Sequence, residues 1–262
     1  MGVWVLFLAY AVAVVGSLVG LICVQAAASA SSRALRWRWI GFASLSIGGV
    51  AIWLMHFIAM TGFDLPGSPV RYDLTRTLLS VLLAVGATGF GLAVAGSGGS
   101  RTVRIVRLLI SGVVMGLAVS LMHYTGMWAI RIRGSIDHDR GYVIASVVIG
   151  VVAATAALWF SRVATRWVFQ IPAALVMGLA VVSLHYTGMA GVRVQVDPAA
   201  ALPSGTSVSA LLFPAFGIGM LIIAAAAAAV LMTPSKTDLA LDAEIARWEE
   251  PVPDRADLFA GK

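Results

Sequence analysis

Long apolar runs separated by short polar stretches account for most of this chain. Each run is close to the length of about 20 residues that a helix needs to cross a bilayer, and none alternates apolar and polar residues as a barrel strand does. The seven runs cover residues 3–24, 39–63, 74–95, 108–130, 142–160, 171–192 and 208–232. The pattern predicts an all-α membrane protein in which residues 1–232 form a bundle of seven transmembrane helices.

The composition agrees with residence in a membrane. Hydrophobic residues make up 60% of the 262 residues and charged residues 11%, whereas soluble domains average roughly 45–50% apolar and about 25% charged residues. A net charge of +6 could indicate nucleic acid as a partner. Because the arginines are scattered through the short connections and form no single basic face, we exclude nucleic acid and expect membrane lipid as the surroundings.

The arginines between the apolar runs predict the orientation of the chain, because short cytoplasmic loops are enriched in Lys and Arg. The connections after the first, third and fifth runs contain Arg33, Arg36, Arg38, Arg101, Arg104, Arg107, Arg162 and Arg166 without an acidic residue. The opposite connections contain six arginines that are diluted by five aspartates. This bias predicts an amino terminus outside the cell and a cytoplasmic carboxyl terminus.

The last thirty residues differ from the rest. Residues 233–262 are predicted to form a short polar cytoplasmic tail, in which Leu241, Ile245 and Trp248 have the spacing of one face of a short amphipathic helix. A segment of this length is too short to fold as an output domain.

One motif occurs three times, as MHFIAM at 55–60, MHYTGM at 122–127 and LHYTGM at 184–189. Each copy has a His four residues before a Met, so a helix would carry both side chains on one face. The paired residues are His56 with Met60, His123 with Met127 and His185 with Met189. A charged residue follows each His by eight positions, which predicts that the three imidazoles share one depth, roughly 12 Å inside the boundary charge.

The fourth and sixth runs also share the sequence VMGLAV, at 114–119 and 176–181. Both copies lie at the same distance before their His. This similarity predicts three repeated helix pairs plus one extra helix at an end of the chain.

Imidazole and thioether side chains together favour copper, because thioether suits Cu(I) and imidazole accepts both oxidation states. Zinc would more usually bring cysteine or carboxylate ligands. Tyr124 and Tyr186, each next to a motif histidine, are candidates for hydrogen bonds to it. His138, between two aspartates, is expected to be a solvated loop residue.

Other interpretations of these residues stay open. The histidines could be neutral and hydrogen-bonded within the bundle while the methionines fill space. A haem could use His and Met as axial ligands in an electron carrier. A copper or small-solute transporter could use Met and His as successive stations, and Met115 and Met177 lie about 12 Å deeper by the same helical rise.

The three motif copies resemble the signature of the MHYT family of bacterial membrane sensor domains. The resemblance spans about residues 5–232 and implies a seven-span domain of the bacterial inner membrane that binds copper near the outer face and senses oxygen, carbon monoxide or nitric oxide. The ligands it implies are His56, Met60, His123, Met127, His185, Met189, Met55 and Met122, with Leu184 in place of the third leading Met.

The expected function is therefore that of a membrane-embedded copper sensor of a diatomic gas or of redox state, without enzyme activity. Family members often carry output domains that this sequence lacks, so a separate cytoplasmic signalling protein is the expected partner. The alternatives are the transporter and the haem-bearing electron carrier.

Overall fold

The structure is a computed structural model that describes residues 3–96, 99–233, 244–245 and 248. Seven helices are long and apolar enough to cross a membrane, which confirms the predicted multi-pass helical fold. They are α1 (Val3–Ala28), α2 (Arg33–Met60), α3 (Leu74–Val94), α4 (Arg101–Trp128), α5 (Arg140–Val163), α6 (Trp167–Ala190) and α7 (Val208–Leu231). Residues Met1–Ala226 form one compact unit.

Several arginines that the sequence analysis assigned to connections lie within helices. α2 begins at Arg33 and α4 at Arg101, six or seven residues before their apolar runs begin. Ser32 and Ser100 cap these helices, because the hydroxyl of each accepts a hydrogen bond from the backbone N–H of the third residue of its helix. The apolar run therefore marks the part of a helix that lies in hydrocarbon, whereas the capping residue marks where the helix begins.

The connections at one end of the helices contain short strands that the sequence analysis did not predict. They are β1 (Arg71–Tyr72), β2 (Ile130–Arg131), β3 (Gly134–His138), β4 (Val192–Val196) and β5 (Thr206–Ser207). β1 pairs with β2 and β5 in one antiparallel sheet, and β3 pairs with β4 in another. We call this end, residues 61–73, 129–139 and 191–207, the stranded end, and the opposite end the arginine end.

The same ion pair is built twice at the stranded end. Asp73 caps α3 and Asp139 caps α5, each accepting a hydrogen bond from a backbone N–H. The second carboxylate oxygen of each binds an arginine, Arg131 at 3.0 Å and Arg193 at 2.9 Å. The capping N–H of Arg76 and the Arg131 guanidinium lower the pKa of the Asp73 carboxyl. These arginines are the residues that follow His123 and His185 by eight positions, so each ion pair ties a motif helix, α4 or α6, to the helix pair that precedes it in the chain.

Six helices pack in a closed series, in which each of α1 to α5 contacts the next and α6 returns to α1. α2 is the most enclosed: 89% of its most apolar stretch is buried, against 17–39% for the other helices. Within it, Leu45–Leu54 is π-helical and α-helical geometry resumes at Met55. π-helical turns are rare and occur frequently at functional sites.

Glycines allow neighbouring helices to approach closely. A Cβ added at Gly116 of α4 would lie 2.4 Å from the Cα of Val151 on α5, and one at Gly48 of α2 would lie 2.8 Å from the Cα of Val85 on α3. The hydrophobic effect does not drive helices together in lipid, so close van der Waals packing at small residues stabilises their association instead. Gly116, the glycine of the VMGLAV sequence of α4, thus lies at a close contact with α5.

The predicted amphipathic helix of the tail lies almost entirely outside the described residues. Of the three positions that predicted it, Ile245 and Trp248 are described, and both are helical.

Replacing Gly116 with alanine should destabilise the bundle by about 1–3 kcal/mol, because the new methyl group meets backbone atoms that cannot turn away. Thermal unfolding of the purified protein in detergent would measure the change. Gly86→Ala on α3 is the matched control, since a Cβ there meets nothing within 4 Å. Equal unfolding temperatures for the two variants would contradict the close approach of α4 and α5.

Candidate metal centre

The three motif histidines meet at one point inside the bundle. His56 comes from α2, His123 from α4 and His185 from α6, and each is at most 1% exposed. The Nδ1 atom of His56 lies 3.0 Å from Nδ1 of His185 and 3.2 Å from Nδ1 of His123. We call these three side chains the His triad. The predicted common depth of the imidazoles is therefore correct, and the helices that carry them converge.

The rings of the His triad are arranged almost symmetrically. Every pair of ring centroids is 4.9–5.2 Å apart, and every pair of ring planes meets at 81–90°. Each ring thus presents its edge to the face of a neighbour. Because each of the three repeats contributes one equivalent ring, the His triad has approximate threefold symmetry about an axis along the bundle.

The glycine of the motif makes room for the neighbouring imidazole. A Cβ on Gly126 would lie 2.6 Å from Nε2 of His56, and a Cβ on Gly188 would lie 2.5 Å from Nε2 of His123. His56 and His123 therefore each pack on the motif glycine of the next motif helix. The equivalent position in the first copy is Ala59, which is fully buried.

The ring nitrogens of the His triad cannot all form hydrogen bonds with one another. A neutral imidazole has one N–H, which donates one good hydrogen bond, and one acceptor nitrogen. Nδ1 of His56 is close to two other Nδ1 atoms, while Nε2 of all three rings is buried with no partner among the described residues. Unpaired polar atoms in a membrane interior cost free energy. Ionisable side chains that are nevertheless kept there typically mark functional sites.

Three converging nitrogens of this kind fit a metal ion. Three imidazoles that bind one ion at about 2.0 Å with tetrahedral angles have ligand atoms roughly 3.3 Å apart. The two observed Nδ1 separations are 3.0 and 3.2 Å. Among the described His, Cys, Asp and Glu residues, the His triad is the group of three or more that could hold a metal ion. Three protein ligands leave a fourth position for another molecule.

The motif methionines form a second layer, one turn from the His triad toward the stranded end. Met60, Met127 and Met189 are buried in one cluster with Phe57 and Tyr72. Four residues along a helix correspond to a rise of about 6 Å, and side chains tilt back toward the amino terminus of their helix. The thioethers therefore lean toward the His triad.

The structure separates the methionines that precede the histidines. Met55 belongs to a cluster with α1 residues, whereas Met122 belongs to the inner cluster with Met115 and Leu184. Adjacent residues on a helix point about 100° apart. The leading position is thus a packing position in these two copies, and in the third copy Leu184 fills it.

The tyrosines of the motif do not hydrogen-bond to the histidines as predicted. The Tyr124 hydroxyl pairs with Ser146 on α5 at 2.6 Å. Its ring instead contacts His123 edge to face, with centroids 4.9 Å apart, and Phe57 and Tyr186 contact their own histidines in the same way. The residue after each histidine thus fixes the ring by packing.

His138, expected to be a solvated loop residue, lies instead at the end of a strand and is half-buried. Its ring packs on Tyr124, with centroids 5.6 Å apart, and its Nε2 is buried without a partner among the described residues. Burial lowers the pKa of its imidazole, and the neighbouring Asp137 carboxylate opposes this shift. Tyr72 holds the equivalent strand position and packs on Phe57 in the same way. Sequence reasoning missed this pair because strand register, not helical spacing, brings them to the motif helices.

The MHYT family profile, described as a bacterial signalling protein N terminal repeat, matches residues 49–107, 116–171 and 178–241. The chain belongs to the MHYT family. Each match contains one motif helix and the helix that follows it, which confirms the three repeated pairs and identifies α1 as the extra helix. Membership also confirms the predicted class of membrane signalling domain.

Curated relatives of this MHYT chain are signalling proteins. It is 40% identical over 166 residues to the bifunctional diguanylate cyclase/cyclic di-GMP phosphodiesterase MucR of Pseudomonas aeruginosa, covering 62% of this chain and 23% of MucR. It is 31% identical over 205 residues to the cyclic di-GMP phosphodiesterase NbdA of the same species, covering 76% of this chain and 24% of NbdA. The chain spans about a quarter of the length of either relative. No solved structure matches it significantly.

Gly126→Ala and Gly188→Ala should each displace an imidazole and destabilise the protein by about 1–3 kcal/mol, because the added methyl group overlaps Nε2 of the adjacent histidine. Thermal unfolding would again measure the loss. Gly217→Ala on α7, where a Cβ meets nothing within 4 Å, is the control. If the motif glycines tolerate alanine as well as Gly217 does, the packing of the His triad described above is wrong.

Proposed function

We propose that this MHYT protein is a membrane sensor that binds copper at the His triad and responds to a diatomic gas, O2, CO or NO, or to redox state. The observation that carries this proposal is the convergence of three buried Nδ1 atoms. Nδ1 of His56 lies 3.0 Å from that of His185 and 3.2 Å from that of His123. The proposed ligands are His56, His123 and His185, with Met60, Met127 and Met189 as the adjacent thioether layer. We leave Met55 and Met122 out of the proposed set because each lies in a different hydrophobic cluster from the thioether layer.

The donor set supports copper over the other candidates. Imidazole with thioether suits copper, and the hard cations prefer oxygen ligands that the described triad lacks. Zinc remains compatible with three imidazoles, but the thioether layer adds nothing for it. A haem is disfavoured because ring centroids 4.9–5.2 Å apart leave no space for a porphyrin between the histidines.

A bound copper ion would supply an open position for a diatomic ligand and a change of oxidation state. The chain supplies the coupling. Each imidazole is fixed from its own helix by the following aromatic ring, and His56 and His123 are also fixed by a glycine of the next motif helix. A displacement of one ring therefore pushes on a neighbouring helix, and α2, α4 and α6 respond together.

The same helices offer a route for a signal. α2 and α4 begin at Arg33 and Arg101 at the arginine end, which we propose faces the cytoplasm, with the amino terminus of the chain outside. The relatives MucR and NbdA bear the names of cyclic di-GMP enzymes. We propose that this bundle is itself non-enzymatic and acts on a separate cytoplasmic signalling protein at the arginine end.

Transport of copper is the second candidate function. It is favoured by Met115 and Met177, which lie together in the buried cluster two turns from His123 and His185 toward the arginine end. Thioethers are thus present on both sides of the His triad. Copper uptake into proteoliposomes that depends on Met115 and Met177 would favour transport, whereas a sensor should bind copper without net uptake.

Purified protein should contain copper, and His56→Ala, His123→Ala and His185→Ala should each lose most of it, as should the triple variant. Each substitution removes one of three ligand nitrogens. Elemental analysis measures the metal, and absorption spectroscopy on the same samples detects a haem by its Soret band. His138→Ala is the matched control, since it removes the one histidine outside the triad.

Equal copper in the natural protein and in correctly folded triad variants would refute the proposed site. A Soret band would replace copper with haem. For the gas, copper-loaded protein equilibrated with CO should show an infrared C–O stretch that the triad variants lack. A copper protein that shows no response to CO, NO or O2 would retain the metal site and lose the gas-sensing role.

A further inference from the structure

A small cavity lies inside the bundle on the arginine-end side of the His triad. Its volume is about 30 Å³. It is lined by Ser17, Ile47, Ile52, Met115, Val119, Gly150, Ala153, Ala154, Ala157, Met177, Val181 and Leu184. Ile52, Val119 and Val181 each precede a triad histidine by four residues, which is about one helical turn. The cavity is therefore adjacent to the His triad and opposite the thioether layer.

From its size and chemistry we infer that this cavity is a docking site for one apolar diatomic molecule. A cavity needs about 10–15 Å³ of such volume to hold a single water, and an engineered cavity that takes benzene measures about 150 Å³. A cavity of about 30 Å³ therefore has room for a molecule of two heavy atoms.

The lining favours an apolar occupant over water. Among the described lining residues, Ser17 alone has a polar side chain, and its hydroxyl has no hydrogen-bond partner in the described part of the chain. A buried water requires two to four polar partners, so one hydroxyl does not hold it. O2, CO and NO lose little on leaving water, and each can accept one weak hydrogen bond from the Ser17 hydroxyl.

The wall formed by α5 suggests how such a molecule enters. It consists of Gly150, Ala153, Ala154 and Ala157, and of these Ala153 and Ala157 are only partly buried. A wall of glycine and alanine is thin, and apolar gases concentrate in the hydrocarbon outside it. The cavity thus collects its ligand from the bilayer and holds it one turn from the imidazoles. Its role as a gas reservoir rests on the function proposed above, but its capacity to bind an apolar atom does not.

Crystals of the chelator-treated, metal-free protein pressurised with krypton or xenon would test the inference. The expected result is an anomalous peak between Val119, Ala154 and Val181. Ala154→Leu should abolish the peak by filling the cavity, and Met177→Ala should strengthen it by enlarging the space. Ala225→Leu, at an exposed position on α7, is the matched control and should leave the peak unchanged.

The outcomes separate this inference from the proposed function. No peak in the natural protein or in Met177→Ala refutes the docking site, whether or not the protein binds copper. A peak in a protein that binds no copper keeps the cavity and refutes the copper sensor. If both hold, copper-loaded Ala154→Leu should retain its copper and bind CO more slowly than Ala225→Leu does; equal CO rates would contradict a docking role.

Discussion

Burying three imidazoles at one point inside a membrane bundle is the constraint on which the rest of this structure depends. A polar side chain among lipid-spanning helices must find a partner, and here each histidine has the other two beside it. Nδ1 atoms 3.0 and 3.2 Å apart require the three motif helices to approach closely at a common depth. Gly126 and Gly188 permit that approach because a Cβ at either would overlap an imidazole.

The repeats extend this arrangement outward from the centre. In each copy the aromatic residue after the histidine packs on its ring, and in two copies a strand residue packs on that aromatic ring in turn. Asp73 with Arg131 and Asp139 with Arg193 then join the motif helices α4 and α6 to the pair that precedes each of them. The third copy departs from this pattern, since β5 joins the sheet of the first copy and not a pair of its own. The bundle is thus close to threefold symmetric at the triad and asymmetric at its edge.

The position of α2 gives the first copy a special role. It is the most enclosed helix, and its π-helical segment ends at Leu54, two residues before His56. π-helical geometry, with i→i+5 backbone hydrogen bonds, is rare and frequently occurs at functional sites. In the proposed sensor, the imidazole whose Nδ1 lies within 3.2 Å of both other Nδ1 atoms is carried just after this segment. The apolar cavity lies beside that same segment, lined by its Ile47 and Ile52.

The sequence alone determined the number of helices, the repeat and the depth of the histidines, because hydrophobic length and helical spacing are local properties of a chain. It also identified His56, His123 and His185 as one layer. Only the tertiary structure decided which nitrogens converge, that Met55 and Met122 lie in different hydrophobic clusters, and that His138 packs on Tyr124. Those features depend on helix rotation, strand register and contacts between residues distant in sequence. Spacing along a single helix does not encode them.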